Sequence, residues 1–166
     1  MHVYNESDPE TVLPNRKEAE EICTSSSGQL ASLTTEQELK TVYSFLTTFC
    51  PTTGDVTIGL QRQSGLERNV RQNWIWSSGE QYTGDINWGN SDPNIDNSKN
   101  ACVRLVVKKG KPPMFLDNIF NRKIQAFMCE KHVDELYSPS GTPYFRKMQL
   151  SHGCRRHDYV ERSGQC

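Results

Sequence analysis

The chain has 166 residues, of which 34% are hydrophobic and 23% are charged, and its formal net charge at pH 7 is -1. This length predicts one domain with at most a small appendage. The near-zero net charge offers no general attraction for nucleic acid or an anionic membrane. No apolar run approaches the roughly 18 residues needed to span a bilayer.

Two helices are predicted in the first third of the chain. Asn15 can cap the first helix, and Glu18 can reach back to complete a capping box. The second is predicted to begin near Thr35, with Glu38 in the same role. We expect two apolar faces at helical spacing to pack on the core. They comprise Ala19, Ile22 and Cys23 in the first helix, and Leu39, Val42, Leu46 and Phe49 in the second.

After Asp55 the apolar pattern shortens to runs that are typical of strands. The predicted strands are 56–60, 74–76, 102–107, 114–116 and 126–130. Helices first and strands afterwards, without alternating βαβ units, predict an α+β fold with an antiparallel sheet. Residues 81–100, here called the long loop, form an irregular polar segment. Segments of that kind in compact domains often carry function.

A series of short signatures resembles a C-type lectin-like domain in its order and spacing. They are Glu18 to Cys23, Gly28 to Leu33, Thr57 to Leu60, Trp74 to Gly79, Asn87 to Gly89, Asp92 to Asn94, Cys102 to Leu105 and Ala126 to Glu130. The resemblance implies two helices flanking a small antiparallel sheet, in a domain spanning residues 1–132. Residues 133–166 lie beyond the family pattern. We predict that they form a linker and a cysteine-containing extension, either a strap folded back on the domain or the start of a next module.

Six cysteines in so short and polar a chain favour an oxidising compartment. The N-terminus lacks the basic and apolar segments of a secretion signal. We therefore expect the chain to be a piece of a larger secreted or membrane-anchored protein. In that setting Asn5, within Asn5-Glu6-Ser7, is a candidate glycosylation site.

The resemblance implies a disulfide between Cys23 and Cys129. The family's second bridge joins the position of Cys102 to a cysteine shortly before the last one, and Phe120 occupies that place here. Three pairings of the remaining cysteines are possible, as are free thiols. The remaining cysteines are Cys50, Cys102, Cys154 and Cys166. A zinc site in the tail is a further alternative, although the spacing there matches no specific zinc motif. It would use His152, Cys154, His157 and Cys166.

The resemblance also implies a candidate calcium site in the long loop. Sugar-binding members begin this site with an acid or amide, a cis proline and a second polar residue, which Asp92-Pro93-Asn94 resembles. Asn100 stands where the family has a carboxylate. The family's final triplet aligns in two ways: Phe115-Leu116-Asp117 loses a ligand to Leu116, whereas Leu116-Asp117-Asn118 keeps both.

The candidate ligand-binding residues are Asp92, Asn94, Asn100, Asp117 and Asn118, and the first four are also the candidate calcium ligands. Fewer carboxylates mean weaker calcium binding, so the competing interpretation is that these residues only stabilise turns. A second calcium site is expected to be lost, because Ile95 and Ala101 occupy two of its acidic positions.

Two further groups of residues have a structural and a functional interpretation. We expect the three tryptophans Trp74, Trp76 and Trp88 to anchor the core and the loop rather than to stack on sugars. Lys108, Lys109 and Lys111 flank Gly110 in a predicted hairpin turn. The structural interpretation of these lysines is that they are solvated charges of a turn. The functional interpretation is that they form a patch that binds sulfated glycans.

No nucleophile, zinc-protease or phosphate-loop motif occurs, so we predict a protein that is not an enzyme. Its predicted function is extracellular recognition of a protein partner without calcium, as a module of an adhesion, receptor or matrix protein. The predicted contact surface is the long loop with the 108–118 segment. The alternatives are a calcium-dependent lectin that binds a glycan, and a structural spacer. We expect no cofactor, with weakly bound calcium as the alternative, and we expect neither a nucleic-acid partner nor a membrane span in this piece.

Overall fold

The computed structural model describes residues 13–49, 54–84, 88–89, 91–133 and 145–150, with residues 132–133 and 145–150 described by backbone alone. The helices are α1 (Arg16–Ser25) and α2 (Glu36–Phe49). The strands are β1 (Gln29–Leu30), β2 (Asp55–Arg62), β3 (Ala101–Val106), β4 (Met114–Ile119), β5 (Met128–Val133) and β6 (Phe145–Leu150). The predicted α+β class is therefore confirmed.

Both helices begin at the predicted capping boxes. Asn15 Oδ1 accepts the Glu18 amide at 3.1 Å, and Glu18 Oε2 accepts the Asn15 amide at 2.6 Å. Thr35 and Glu38 make the reciprocal pair at 3.2 and 3.0 Å. These bonds satisfy amides that the first turn of a helix leaves unpaired.

Two residues predicted to face the core do not. Ile22 is 47% exposed, because it lies roughly a quarter turn around α1 from the buried face, which comprises Arg16, Ala19 and Cys23. Phe49 is 58% exposed at the last position of α2, where it packs on Phe45 with ring centroids 5.5 Å apart. Helical spacing identified the apolar face of each helix. It could not show how far the rest of the protein covers that face.

The strands form two small antiparallel sheets. One has the order β2-β3-β4 and the other β1-β5-β6. The strand predicted at 74–76 is wrong: Ile75 makes only isolated bridges to Gln61 and Gln81. Trp74 and Trp76 on either side of it are buried in the core.

A disulfide joins Cys23 in α1 to Cys129 in β5, with Cα atoms 5.4 Å apart. Cys102 is buried as a free thiol, and burial raises its pKa to about 11. Phe120 supports the Arg16 guanidinium, which lies 5.0 Å from the ring centroid. Cys50, Cys154, Cys166, His152, His157 and Asn5 lie outside the described residues, so the predictions made for them stay predictions.

Strand β6 brings part of the predicted extension onto the sheet, since it pairs with β5 from Met128 opposite Leu150 to Val133 opposite Phe145. The domain boundary at residue 132 stays a prediction. On the basis of this pairing we propose the strap rather than a separate module. Among the described helices, none is long and apolar enough to cross a membrane.

Replacing both Cys23 and Cys129 by alanine should lower the free energy of unfolding by about 4–5 kcal/mol on the chain-entropy model, because the bridge spans a sequence separation of 106. Urea titration of the oxidised proteins measures the change. Cys102→Ala, which removes a buried but unpaired thiol, is the control and should cost about 1 kcal/mol. A double variant as stable as this control would contradict the expectation.

Candidate functional site

Asp117 fastens the long loop to the central sheet. It lies on β4 opposite Val103 and is buried. Its Oδ1 accepts the Asn94 amide at 3.0 Å and its Oδ2 accepts the Ile95 amide at 2.7 Å. Both carboxylate oxygens are therefore used to hold loop backbone.

Asp92 lies beside this carboxylate. Its Oδ1 accepts hydrogen bonds from Asn94 Nδ2 and from the Asp117 amide, both at 3.2 Å. Burial raises the pKa of Asp92 to about 6, and a hydrogen bond with the Asp117 carboxyl and its negative charge add to this effect. The Asp92-Pro93 peptide is cis, as the family resemblance implies.

The other two candidate ligand residues have different partners. Asn100 Oδ1 accepts the Ser64 amide at 2.8 Å, so its oxygen holds the preceding loop. Asn118 Oδ1 accepts the Ile119 amide at 3.0 Å. Because successive side chains of a strand face opposite sides, Asn118 lies on the other face of β4 from Asp117. The structure thus brings together Asp92, Asn94 and Asp117 out of the five predicted residues.

The surroundings of β4 favour the alignment Phe115-Leu116-Asp117. Phe115 is buried, with its ring centroid 6.1 Å from that of Trp76 and 6.0 Å from that of Trp88. A Cβ added at Gly89 would collide with Leu116 Cδ2 and lie 3.2 Å from Asp92 Oδ2. An apolar side chain therefore lies next to the Asp92 carboxyl, where the family alignment places a calcium ligand. In the described part of the chain, no cluster of three or more His, Cys, Asp or Glu side chains could hold a metal ion.

Arg62 is a residue of this site that the sequence analysis missed. It ends β2 and is only 1% exposed. Its guanidinium donates hydrogen bonds to five backbone carbonyls at 2.6–3.4 Å. We call this group the Arg62 cage. The carbonyls belong to Gln63, Leu66, Ile95, Asp96 and Asn97.

The cage joins two segments of chain around one positive charge. Arg62 also lies over the Trp74 ring, 5.6 Å from the centroid. Burial lowers the pKa of Arg62, while the negative charge of Asp117 opposes that effect. Arginine nevertheless stays charged in proteins. The one signal in the sequence was an arginine that ends a buried strand and begins a polar loop.

The segment before the long loop is bonded directly to it. The Gly65 amide donates to the Asn97 carbonyl at 2.7 Å, and the Arg68 amide donates to Asn97 Oδ1 at 3.0 Å. Leu66 and Val70 of this segment are each 37% exposed. The result is one preformed face, which we call the loop face, made of residues 64–70 and 94–100.

Arg62→Gln should lower the free energy of unfolding by about 3 kcal/mol, because five carbonyls lose a charged donor. Chemical denaturation followed by tryptophan fluorescence measures the loss. Arg68→Gln is the matched control. The guanidinium of this half-buried arginine bonds only the Asn94 carbonyl in the described structure, at 3.0 Å, and its loss should cost about 0.5 kcal/mol. Equal losses in the two variants would show that the cage is not a main support of the loop.

The raised pKa of Asp92 predicts a pH dependence of stability. Since the folded state holds this proton more tightly than the unfolded chain, the contribution of Asp92 to stability falls as pH rises from about 4 to about 6. Asp92→Asn should flatten that part of the pH profile and raise stability at pH 7 by about 1 kcal/mol. Asp96→Asn is the control. The hydrogen bond from Ser98 lowers the pKa of Asp96, so the contribution of Asp96 to stability changes with pH in the opposite direction. A less stable Asp92→Asn protein at pH 7 would contradict the assignment.

Solved structures of other proteins share this fold. The C-type lectin CEL-I from Cucumaria echinata has a TM-score of 0.55 and 19% identity, over 72% of this chain and 84% of that one. Human lithostathine has a TM-score of 0.52 and 26% identity, over 68% and 73%. The carbohydrate-recognition domain of cow CD23 has a TM-score of 0.51 and 17% identity, over 70% and 79%.

Curated sequences give the same relationship. The chain is 30% identical to mouse Layilin over 142 residues, which are 78% of this chain and 35% of that protein. It is 32% identical to human Layilin over 132 residues, or 73% and 33%. The chain thus spans about a third of the length of these relatives. The family model described as Lectin C-type domain matches residues 14–131, so the chain belongs to the C-type lectin domain family.

Proposed function

We propose that this chain is an extracellular recognition module, not an enzyme, that contacts a protein partner through its loop face without needing calcium. The observation that carries the proposal is the Arg62 cage. A calcium ion orders a loop by collecting hard oxygen atoms, and here a guanidinium collects five carbonyl oxygens. The loop therefore has an internal cation to hold its shape.

The composition of the loop face suits a protein partner. Leu66 and Val70 offer apolar surface in one segment of the loop face, and Asp96 and Lys99 are exposed in the other segment. Protein interfaces commonly combine an apolar centre with a polar rim. Because hydrogen bonds already fix the backbone of both segments, binding would lose little conformational entropy.

The contact surface that we propose is narrower than the one that the sequence analysis predicted. Of the 108–118 segment, the part that supports the long loop is around Phe115 and Asp117. The residues from 108 to 111 lie in the connection from β3 to β4, at the end of that strand pair away from Ala101 and Ile119. We therefore leave this hairpin tip out of the proposed protein contact.

A calcium-dependent lectin is the second candidate, favoured by the proximity of Asp92, Asn94 and Asp117. The carbohydrate-recognition domain of cow CD23, which has the same fold, was crystallised in the presence of an oligosaccharide. Against this candidate, Leu116 lies beside Asp92, and Asp117 already accepts two amides. The charge and the free oxygen ligands that calcium needs are both reduced.

Thermal unfolding in millimolar calcium and again in EDTA separates these two candidates. We expect the same midpoint in both, whereas calcium at 100 times its dissociation constant would stabilise the fold by about 2.7 kcal/mol. If calcium raises the unfolding midpoint and Asp92→Ala abolishes that increase, the lectin candidate is supported and the calcium-independent mode is overturned. Wild-type protein in magnesium serves as the control for ionic strength.

A structural spacer is the third candidate, and a binding screen against extracellular domains tests it. Lys99→Glu should abolish binding of any partner that the screen finds, because Lys99 lies in the loop face. The unfolding midpoint should stay unchanged, because Lys99 is exposed. Lys17→Glu makes the same charge change on α1, where Lys17 is 83% exposed, and should leave binding intact. Equal effects of the two variants on binding would argue against the loop face as the contact surface.

A further inference from the structure

We propose that the hairpin tip between β3 and β4 binds a sulfated polysaccharide. This tip consists of Lys108, Lys109, Gly110 and Lys111, all of them exposed. The site is separate from the loop face, and it does not rest on the proposed protein contact.

The tip concentrates positive charge that no acidic side chain of the described residues pairs with. The Lys111 amide donates to the Lys108 carbonyl at 3.0 Å, which closes a turn whose ends lie within about 7 Å. Within the described residues none of these three lysines takes part in an ion pair. Asp55, the acidic residue opposite Val106 at the base of the hairpin, is already paired with Arg104.

The tip is also held in one conformation. Tyr43 of α2 accepts a hydrogen bond from the Gly110 amide at 3.0 Å and donates one to the Lys108 carbonyl at 3.3 Å. Gly110 has a φ of 76°, a conformation that suits glycine. One phenol thus fixes both sides of the turn. A preformed array of charges loses less entropy on binding than a mobile one.

The ligand that fits is a chain of closely spaced anions. Lysine ammonium groups act as point charges toward sulfate or phosphate, and three of them on one turn can meet successive anionic groups along a polymer. The net charge of the whole chain is only -1, so the attraction is local to the tip. A disulfide-bonded chain belongs to compartments outside the cytosol, where sulfated polysaccharides rather than nucleic acids are the abundant polyanions.

The test uses the full oxidised chain and fluorescein-labelled heparin, in EDTA so that calcium plays no part. Replacing Lys108, Lys109 and Lys111 together by glutamine should weaken binding at physiological salt by about tenfold or more, and should reduce the salt slope by about two to three. The matched control replaces Lys17, Lys123 and Lys131, which are exposed and lie outside both proposed sites, by glutamine. It makes the same change in net charge elsewhere and should alter the affinity by less than about twofold.

A second variant tests the role of the Tyr43 anchor. Tyr43→Phe keeps all three lysines but loses both hydrogen bonds to the tip. We expect binding to weaken by about threefold while the salt slope stays unchanged, because ordering the turn then costs entropy. Unfolding midpoints of all variants verify that each one is folded.

Four results would overturn the proposal. One is the absence of heparin binding by the wild-type chain at physiological salt. Another is an equal loss in the two triple variants, which would indicate diffuse attraction rather than a site. The third is competition by duplex DNA as effective as that by unlabelled heparin at equal charge, which would indicate a general polyanion surface. Desulfated heparin should compete poorly, and equal competition by it would also count against the site.

Discussion

The position of the long loop depends on the buried charge of Arg62. A guanidinium removed from water is costly unless its donors are satisfied. Here Nη1 and Nη2 have five carbonyl acceptors, four of them in the two segments of the loop face, while the buried Nε has no partner within the described residues. If the loop moved away from β2, these hydrogen bonds would break and the buried guanidinium would lose its acceptors. The stability of the structure around β2 and the position of the long loop therefore depend on each other.

Two further contacts make the same connection from the other side. Trp88 packs its ring against Trp74 and Phe115, with centroids 4.9 and 6.0 Å apart, and Asp117 holds the amides of Asn94 and Ile95. An ion at this place would have to compete with those amides for the Asp117 oxygens. The same carboxylate that makes the loop rigid is thereby a poorer metal ligand. Structural order and calcium affinity therefore compete for the same two oxygens of Asp117, which is an argument for the calcium-independent contact that we propose.

Local features of the fold could be predicted because their partners lie close in sequence, as Asn15 and Glu18 do in the α1 capping box. The errors arise where the outcome depends on distant chain. Ile22 and Phe49 have the right spacing, but the covering surface ends before them. The Arg62 cage reaches carbonyls 33–35 residues away, which no local pattern encodes. The two alignments of the final triplet differ by one residue, and the observation that favours one of them is the packing of Phe115 on Trp76 and Trp88, which are distant in sequence.

The two ends of the β3–β4 pair differ in how their charges are used. At the loop end, Arg62 and Asp117 are committed to internal bonds, so a partner there would be selected by shape and by exposed apolar groups such as Leu66. At the hairpin end, Tyr43 orders the backbone while the lysine side chains stay free of ion pairs within the described structure. Long-range attraction would act mainly at the hairpin end, since solvated charges respond to ionic strength and buried ones respond little. Because the strands separate the two ends, a ligand on one of these proposed sites would leave the other accessible.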